Sequence, residues 1–369
     1  MPSAPGTAQP RLVIAVSSPE AGGIQRTASR LSEALIGRFD VHIVSVLAEP
    51  PPHFHRAPGV GYEDLGLLPP RSWRFASLRA LLRLRRRLGV LRPDVVLCFG
   101  NRVSVLTLIA TLGTSTSVIA TERNDPRVQR VEAPVRWLRP TLYRRAATVV
   151  VQTQSVLEWA KDMPFANRTT VIPNAVEPTD HRARPAESRT VVALGRLVPQ
   201  KGFDVLLRAF AQVADRYPDW SLEIGGEGPE RQRLVALAME LGISDRVTFA
   251  GLIDGAQGWL AQGAIFVLPS RHEGFPNVLL EAMSVGLACI ASRCPSGPTE
   301  IIDQGSDGLL FDVDDVSGLG QSLEELMADA DLRQRLGSAA REAIERFDPK
   351  ADVERWEATV IQALVEQRR

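Results

Sequence analysis

The sequence predicts an α/β fold of two parallel-sheet domains in tandem. Short β-branched apolar runs alternate with longer stretches of helical period, and this rhythm runs through the chain twice. At 369 residues the chain also exceeds the size at which one hydrophobic core keeps growing, so two domains of roughly 150 to 200 residues each are expected. The 44% hydrophobic content is enough to fill both.

In the first half the strand candidates are "RLVIAV", "VHIVSV", "DVVLCF", "SVIATE" and "TVVVQT". The segment 171–189, "VIPNAVEPTDHRARPAESR", then breaks the periodicity with prolines and polar residues and marks the join. The pattern restarts with "TVVALG", "SLEIGG", "RVTFAG", "AIFVLP" and "LACIAS", each followed by a helical stretch, as an open parallel sheet covered by helices requires. Two such domains in tandem would leave a cleft between them. The last segment, "PKADVERWEATVIQALVEQRR", has helical period and no following strand, so it is an extra helix whose apolar side needs a surface, that of the first domain being available.

Formal net charge is zero, with Lys+Arg and Asp+Glu both at 43, so the chain as a whole is no polyanion binder and no nucleic-acid partner is expected. Lysine occurs only at 161, 201 and 350; the other basic residues are arginines, a compositional bias that makes any single arginine uninformative. The three cysteines, Cys98, Cys289 and Cys294, have no metal-type spacing and leave one unpaired, which fits a reducing compartment. The start, "MPSAPGTAQPRLVIAV", lacks the charged and apolar regions of a signal peptide. No apolar stretch reaches the ~20 residues that span a bilayer. A cytoplasmic protein is expected.

In open parallel sheets ligands sit beyond the carboxyl ends of the strands, and anions sit at helix N-termini, where unpaired N–H groups and the dipole favour negative charge. "AIFVLPSRHEGFPNVLLEAMSVG" reads as strand, loop and helix, with Glu273 and Gly274 in the loop, Pro276 fixing the turn, Asn277 as N-cap and Glu281 about one turn into the helix. N–H groups near Gly274, Phe275, Asn277 and Val278 could face a diphosphate. The Glu281 carboxylate could then accept from both hydroxyls of a ribose. On spacing alone, two solvated charges are the plainer description of Glu273 and Glu281, since such pairs are common.

"ALGRLVPQKGFDVLLRAF" is a second strand, loop and helix, in which Gly195 permits a tight exit and Arg196 and Lys201 set two cations in one short loop. Two cations there could neutralise a pyrophosphate leaving group without a metal, or simply face solvent. In the first half, Gly22 and Gly23 in "VSSPEAGGIQR" allow close backbone approach or merely serve a turn. "IATERNDPRVQR" ends a strand with Glu122, Arg123, Asn124 and Asp125, polar groups expected to face the cleft. Residues 71–92 carry eight arginines and no acid on a helical pattern, which reads as an anionic membrane surface contact or as a solvated helix.

Taken in order, "AGGIQR", "VIPNAV", "LGRLVPQKGFDVLL", "GGEGPERQRL", "VTFAG" and "PSRHEGFPNVLLEAMSVGLACIAS" resemble the retaining GT-B glycosyltransferases of the GT4 type over nearly the whole chain. The most specific element is the Glu, seven residues, Glu signature met by Glu273 and Glu281. The resemblance implies two Rossmann-like domains with parallel sheets facing a central cleft. It implies an acceptor domain at 1–173, a nucleotide-sugar domain at 174–350, and a helix at 351–369 crossing back to the first domain. It makes Arg196 and Lys201 the diphosphate clamp, Glu281 the ribose ligand and Glu273 the carboxylate near the donor sugar. Gly274, Phe275, Asn277 and Val278 then line sugar and phosphates, and the base lies near Phe249, Gly251 and Leu252.

Many members place a histidine after a first-domain strand beside the donor sugar, where this chain reads "ATERNDP". That form, with "CPSGPTEII", resembles the branch adding hexose or N-acetylhexosamine to polysaccharide and lipid-linked oligosaccharide precursors, and brings Glu122 and Arg123 into the site. The implied reaction is metal-independent hexosyl transfer with retention, from a UDP-sugar to a glycan or polyprenyl-diphosphate-linked glycan, on the inner face of the cytoplasmic membrane. A sugar-nucleotide epimerase shares the architecture but needs acid/base groups around the sugar; a silent sugar-nucleotide or polysaccharide binder would not need the whole charged set.

Overall fold

The computed structural model describes residues 9–16, 23–46, 57–66, 73–129 and 131–367. The chain divides into two compact units, one holding the described residues up to Pro173 and from Lys350 onward, the other Asn174–Pro349. The first unit contains strands β1 (Arg11–Val16), β2 (Asp40–Ser45), β3 (Gly61–Asp64), β4 (Val95–Phe99), β5 (Ser117–Thr121), β6 (Thr148–Val151) and β7 (Thr169–Val171). Its helices are α1 (Gly23–Leu35), α2 (Trp73–Leu91), α3 (Asn101–Ala110), α4 (Ala133–Tyr143) and α5 (Gln154–Ala160). All strand pairs are parallel, in the order β3-β2-β1-β4-β5-β6-β7.

Burial on both faces explains why the inner strands β1, β4, β5 and β6 read as near-continuous apolar runs. Val13, Ala15, Val96 and Cys98 point to one face and pack with α2, which buries Ala80, Leu84, Leu88 and Leu91 at helical spacing. The intervening Leu12, Ile14, Leu97 and Phe99 point to the other, where α1 and the terminal helix lie.

The second unit contains β8 (Thr190–Leu194), β9 (Ser221–Gly225), β10 (Val247–Gly251), β11 (Ile265–Leu268), β12 (Ala288–Ser292) and β13 (Leu309–Phe311), in the parallel order β10-β9-β8-β11-β12-β13. Its helices are α6 (Phe203–Ala214), α7 (Arg231–Glu240), α8 (Ala256–Leu260), α9 (Asn277–Ser284), α10 (Pro298–Ile301), α11 (Val316–Ala328) and α12 (Ala330–Ala343). Helix α6 packs on one face of the sheet through Phe203, Leu206, Leu207 and Phe210, and α9 on the other through Leu279, Leu280 and Met283.

Residues 172–189 form neither helix nor strand, as the proline-rich segment predicts. Buried Arg333 holds this stretch, donating to the carbonyls of Pro185 (2.7 Å) and Leu326 (2.5 Å) while its guanidinium lies over the Trp220 ring. The final helix, α13 (Pro349–Gln367), lies in the first unit from Lys350 onward. There Trp356 meets Phe99 at 5.6 Å between ring centroids, and Val360 and Ala363 join the core beside Leu12 and Ile14. Strands β3, β7 and β13 were not anticipated from the sequence.

Candidate active site

Strand order in the second unit reverses between β8 and β11, because the chain runs outward through β9 and β10 and returns to the other side of β8. A reversal opens a crevice at the carboxyl ends of the two strands. The loops leaving them, 195–202 and 269–276, carry Arg196, Lys201 and Glu273.

The structure brings two of these together. Lys201 Nζ lies 2.6 Å from Glu273 Oε1, with both side chains largely buried. The Ser270 hydroxyl donates to the same carboxylate oxygen at 2.6 Å, and Ser296 donates to the Glu273 carbonyl at 2.8 Å. Ser292 in turn donates to the Ser270 carbonyl. Glu273 is thus fixed in both side chain and backbone, and its charge is met by the one lysine of the second unit. Arg196 is exposed on the same loop.

Loop contact here depends on missing side chains. Gly202, at φ +65°, comes so near the neighbouring loop that a Cβ would sit 2.0 Å from the Pro269 carbonyl oxygen. On the other side Gly226, at φ +120°, presses on Gly195, whose carbonyl oxygen a Cβ would meet at 2.0 Å. The 195–202 loop is therefore clasped between the loops that follow β9 and β11.

Glu281 lies half-buried one turn into α9. Asn277 does not cap this helix: Pro276 holds the N-cap position, and Asn277 is the first helical residue. Its Oδ1 instead accepts from Asn174 Nδ2 at 2.5 Å, and the same amide donates to the Phe275 carbonyl at 3.2 Å. With no side-chain cap, the first-turn N–H groups of Asn277 and Val278 are of the kind that receive an anion. Phe275 does not present its ring to the site, since the ring is buried edge-on against Phe347 at 5.5 Å. Gly274 is buried, and Val278 is half-buried and packs on the core.

Where the resemblance places the base, Arg231 sets its guanidinium 6.0 Å from the Phe249 ring and pairs with Glu227 at 3.0 Å. The Gly251 carbonyl accepts from the Gly226 N–H at 2.6 Å, and Leu252 is 82% exposed. The Gly195 N–H is turned inward to the Gly225 carbonyl.

The first unit corrects one expectation. Glu122 does not face outward from its strand end: it is 1% exposed and accepts from the Tyr143 hydroxyl at 2.8 Å and from Arg139 at 3.4 Å. Arg139 and Tyr143 stand four apart on α4, one face of which closes over the end of β5. Burial pushes the Glu122 carboxyl above its ordinary value, against the pull of Arg139 and Tyr143. Arg123 is buried over the Phe99 ring at 5.3 Å, and burial lowers it to about 10 despite the Asp352 carboxylate. Asp352, on α13, pairs with Arg30 of α1. Gly22 lies outside the described residues, and Gly23 opens α1.

Helix α2 also differs from a freely charged surface helix. Arg83 donates to the Leu65 carbonyl, Arg85 to those of Ala110 and Leu112, all at 2.9 Å, and Arg87 pairs with Glu63. Arg79 and Arg86 are exposed, as are Leu78 and Leu82. No helix among the described residues is long and apolar enough to cross a membrane. All three cysteines are buried thiols.

Residues 178–343 match the sequence pattern of the glycosyl transferases group 1, and residues 22–175 that of the glycosyl transferase 4-like domain. The lipopolysaccharide core biosynthesis glycosyltransferase LpsE of Rhizobium meliloti is 30% identical over 83% of this chain and 89% of its own. The chain belongs to the glycosyl transferases group 1. It is a glycosyltransferase. An undecaprenol-dependent 4-alpha-N-acetylgalactosaminyltransferase of Campylobacter jejuni is 25% identical over 92% of this chain and 96% of its own. The exopolysaccharide phosphotransferase SCO2592 of Streptomyces coelicolor is 32% identical over 75% of this chain, which spans only 29% of that longer protein. Among solved structures, a sucrose-phosphate synthase from Thermosynechococcus elongatus superposes with a TM-score of 0.86 at 20% identity, covering 96% of this chain and all of its own. Anabaena Alr3699/HepE, solved with UDP and glucose, gives 0.82 at 18% identity over 95% of this chain and 99% of its own. These likenesses establish the fold as GT-B.

Several residues that build the site were not legible as such. Asn174 stood in a recognised segment without a role, and Ser270, Ser292 and Ser296 carried no signal beyond being small and polar.

Proposed function

We propose that this glycosyltransferase transfers a hexose or N-acetylhexosamine from a UDP-sugar, with retention at the anomeric carbon, to a glycan or polyprenyl-diphosphate-linked glycan. The place of the reaction is the synthesis of a cell-surface polysaccharide. The observation that carries the reading is the Lys201–Glu273 pair at the β8/β11 crevice, with Glu281 one helical turn beyond. The lipopolysaccharide and undecaprenol-linked relatives support the acceptor class, and the UDP-bound neighbour supports the nucleotide.

In this reading Arg196, Lys201 and the first N–H groups of α9 hold the donor diphosphate. Glu281 accepts from the ribose hydroxyls, and Glu273 faces the transferred sugar. The acceptor hydroxyl attacks on the face from which the nucleoside diphosphate departs, and a diphosphate oxygen takes its proton. One C–O bond forms as the other breaks, and catalysis lies in positioning and in stabilising the leaving group's charge. Two cations on one loop meet that charge, so the reaction runs without a metal. The exposed Arg79, Arg86, Leu78 and Leu82 give α2 the makings of a contact with an anionic membrane surface.

Incubation with a panel of UDP-sugars and a polyprenyl-diphosphate-linked glycan, read by product mass and anomeric NMR, tests the reading. An acceptor-dependent α-linked product formed in EDTA is expected. Inversion at the anomeric carbon contradicts the mechanism, and activity lost on chelation and restored by a divalent cation contradicts the metal-free clamp.

A further inference from the structure

One arginine beside the site is spent on holding neighbouring segments together. Arg271 sits two residues before Glu273, and its guanidinium forks onto Asp204 at 2.9 and 3.1 Å while its Nε meets Asp314 Oδ1 at 2.8 Å. Nη1 also donates to the Pro199 carbonyl at 2.5 Å, and the Arg271 backbone N–H donates to the Gln200 carbonyl at 2.8 Å. Gln200 returns the contact, donating from Nε2 to the His272 carbonyl at 2.8 Å. The partners are therefore Pro199 and Gln200, immediately before Lys201, and Asp204, in the first turn of α6 just after it. Asp314, in the segment after β13, stands at φ +61°, in the left-handed region that aspartate visits more readily than most non-glycine residues.

We propose that Arg271 is a positioning residue for the donor diphosphate, setting the place of Lys201 relative to Glu273 by bracing the 195–202 loop against the 269–276 loop. The inference rests on the reading of Lys201 as a diphosphate ligand. Arg271 is poorly placed to be a phosphate ligand itself, because two carboxylates and a carbonyl already take up its guanidinium. Nor is it a core element: it stands 30% exposed and joins loops, where an ordinary ion pair contributes little to global stability. A planar fork satisfied at both edges fixes direction as well as distance, which a lysine cannot do. Burial works to raise the Asp204 carboxyl, but the Arg271 fork and charge outweigh it and hold it below its ordinary value. The brace is accordingly charged throughout the neutral range.

The test is titration calorimetry of the full chain with UDP and with GDP, on wild type, Lys201→Ala, Arg271→Leu, Arg271→Lys, Asp204→Asn and the Lys201→Ala/Arg271→Leu double variant. A direct ligand and its positioner share one interaction, so their losses do not multiply. Lys201→Ala and Arg271→Leu are each expected to weaken nucleotide binding about tenfold, and the double variant by no more than about twofold beyond Lys201→Ala. Asp204→Asn should loosen binding in the same direction, and Arg271→Lys should fail to restore it. Multiplying losses, a wild-type affinity in Arg271→Leu and Asp204→Asn, or full rescue by Arg271→Lys would each overturn the proposal. Wild-type affinity in Lys201→Ala, or a wild-type chain that binds neither nucleotide, would instead bring down the donor-site reading and this inference with it.

Discussion

Gly202→Ala adds one methyl group, and its consequence can be worked from the geometry. The added Cβ would lie 2.0 Å from the Pro269 carbonyl oxygen, and since real Cβ contacts stay above 3.0 Å, the loops at 195–202 and 269–276 must part by at least 1.0 Å (3.0 − 2.0). Lys201, the adjacent residue, moves with its loop, away from a Glu273 carboxylate now 2.6 Å distant. A displacement of about 1 Å in a positioning element costs on the order of 100-fold in rate, or about 2.7 kcal/mol of transition-state stabilisation. The φ of +65° adds about 1–2 kcal/mol of strain that lowers stability alone. Gly242 separates the two effects: its φ is +71°, and a Cβ there meets nothing within 4 Å. Gly242→Ala should pay the backbone strain and keep its rate. The assay is the initial rate of nucleotide release from the donor, beside thermal unfolding of both variants. If Gly202→Ala works as fast as Gly242→Ala, the contact does not set the geometry of the site.

Three further outcomes follow from the first unit. Glu122 has a raised folded value, so its contribution to stability is fully present below its unfolded value near 4.5 and is lost as pH rises through the folded one. The wild-type minus Glu122→Gln difference in unfolding free energy should therefore fall as pH climbs above 4.5, and a flat difference would contradict a buried, shifted carboxyl. Trp356→Ala should cost about 3–5 kcal/mol in urea unfolding, because the ring is 1% exposed and packed on Phe99; a loss below about 1 kcal/mol would mean α13 is not part of that core. Arg79→Ser with Arg86→Ser should reduce flotation with phosphatidylglycerol vesicles while leaving the braces of Arg83, Arg85 and Arg87 intact, and unchanged flotation would rule out α2 as the contact.

Strand legibility followed burial. Most of the ten strands read from the sequence, such as β4 with all five residues buried, carry apolar runs because helices cover both faces, although β10, an edge strand with no residue buried, was read as well. The three that escaped notice lie at sheet edges. β3 is "GYED" with every residue only half-buried, and β7 and β13 have three residues each, too few to show a period. Lys201 and Glu273 were candidates by residue type whose roles came only through the resemblance, and the fold places them 2.6 Å apart. What escaped depends on contacts distant in sequence. Arg271 and Asp204 are 67 residues apart, and Asn174 and Asn277 are 103. Glu122 misled for a related reason: the rule that polar strand ends face ligands holds only where no helix closes over them, and Arg139 and Tyr143 on α4 do.

The Lys201–Glu273 pair is itself a poor device for stability, which gives its presence a testable meaning. The side chains are 16% and 9% exposed, so both charges surrender most of their hydration, and their attraction at 2.6 Å does little more than repay it. Removing one partner leaves the other buried and unmatched, at about 1–3 kcal/mol here and less than for a wholly enclosed pair. Removing both charges does not carry that penalty: Lys201→Met with Glu273→Gln keeps an acceptor for the Ser270 hydroxyl and fills the lysine's path with an apolar chain. The double variant should unfold at or above the wild-type denaturant midpoint, the Lys201→Met single variant below it, and both should lose transfer activity. A double variant less stable than either single one would show that the pair is kept for the fold. The expected order, stability regained and activity gone, is that of charges held against their own solvation cost to meet a third charge, and a nucleotide-sugar diphosphate supplies one.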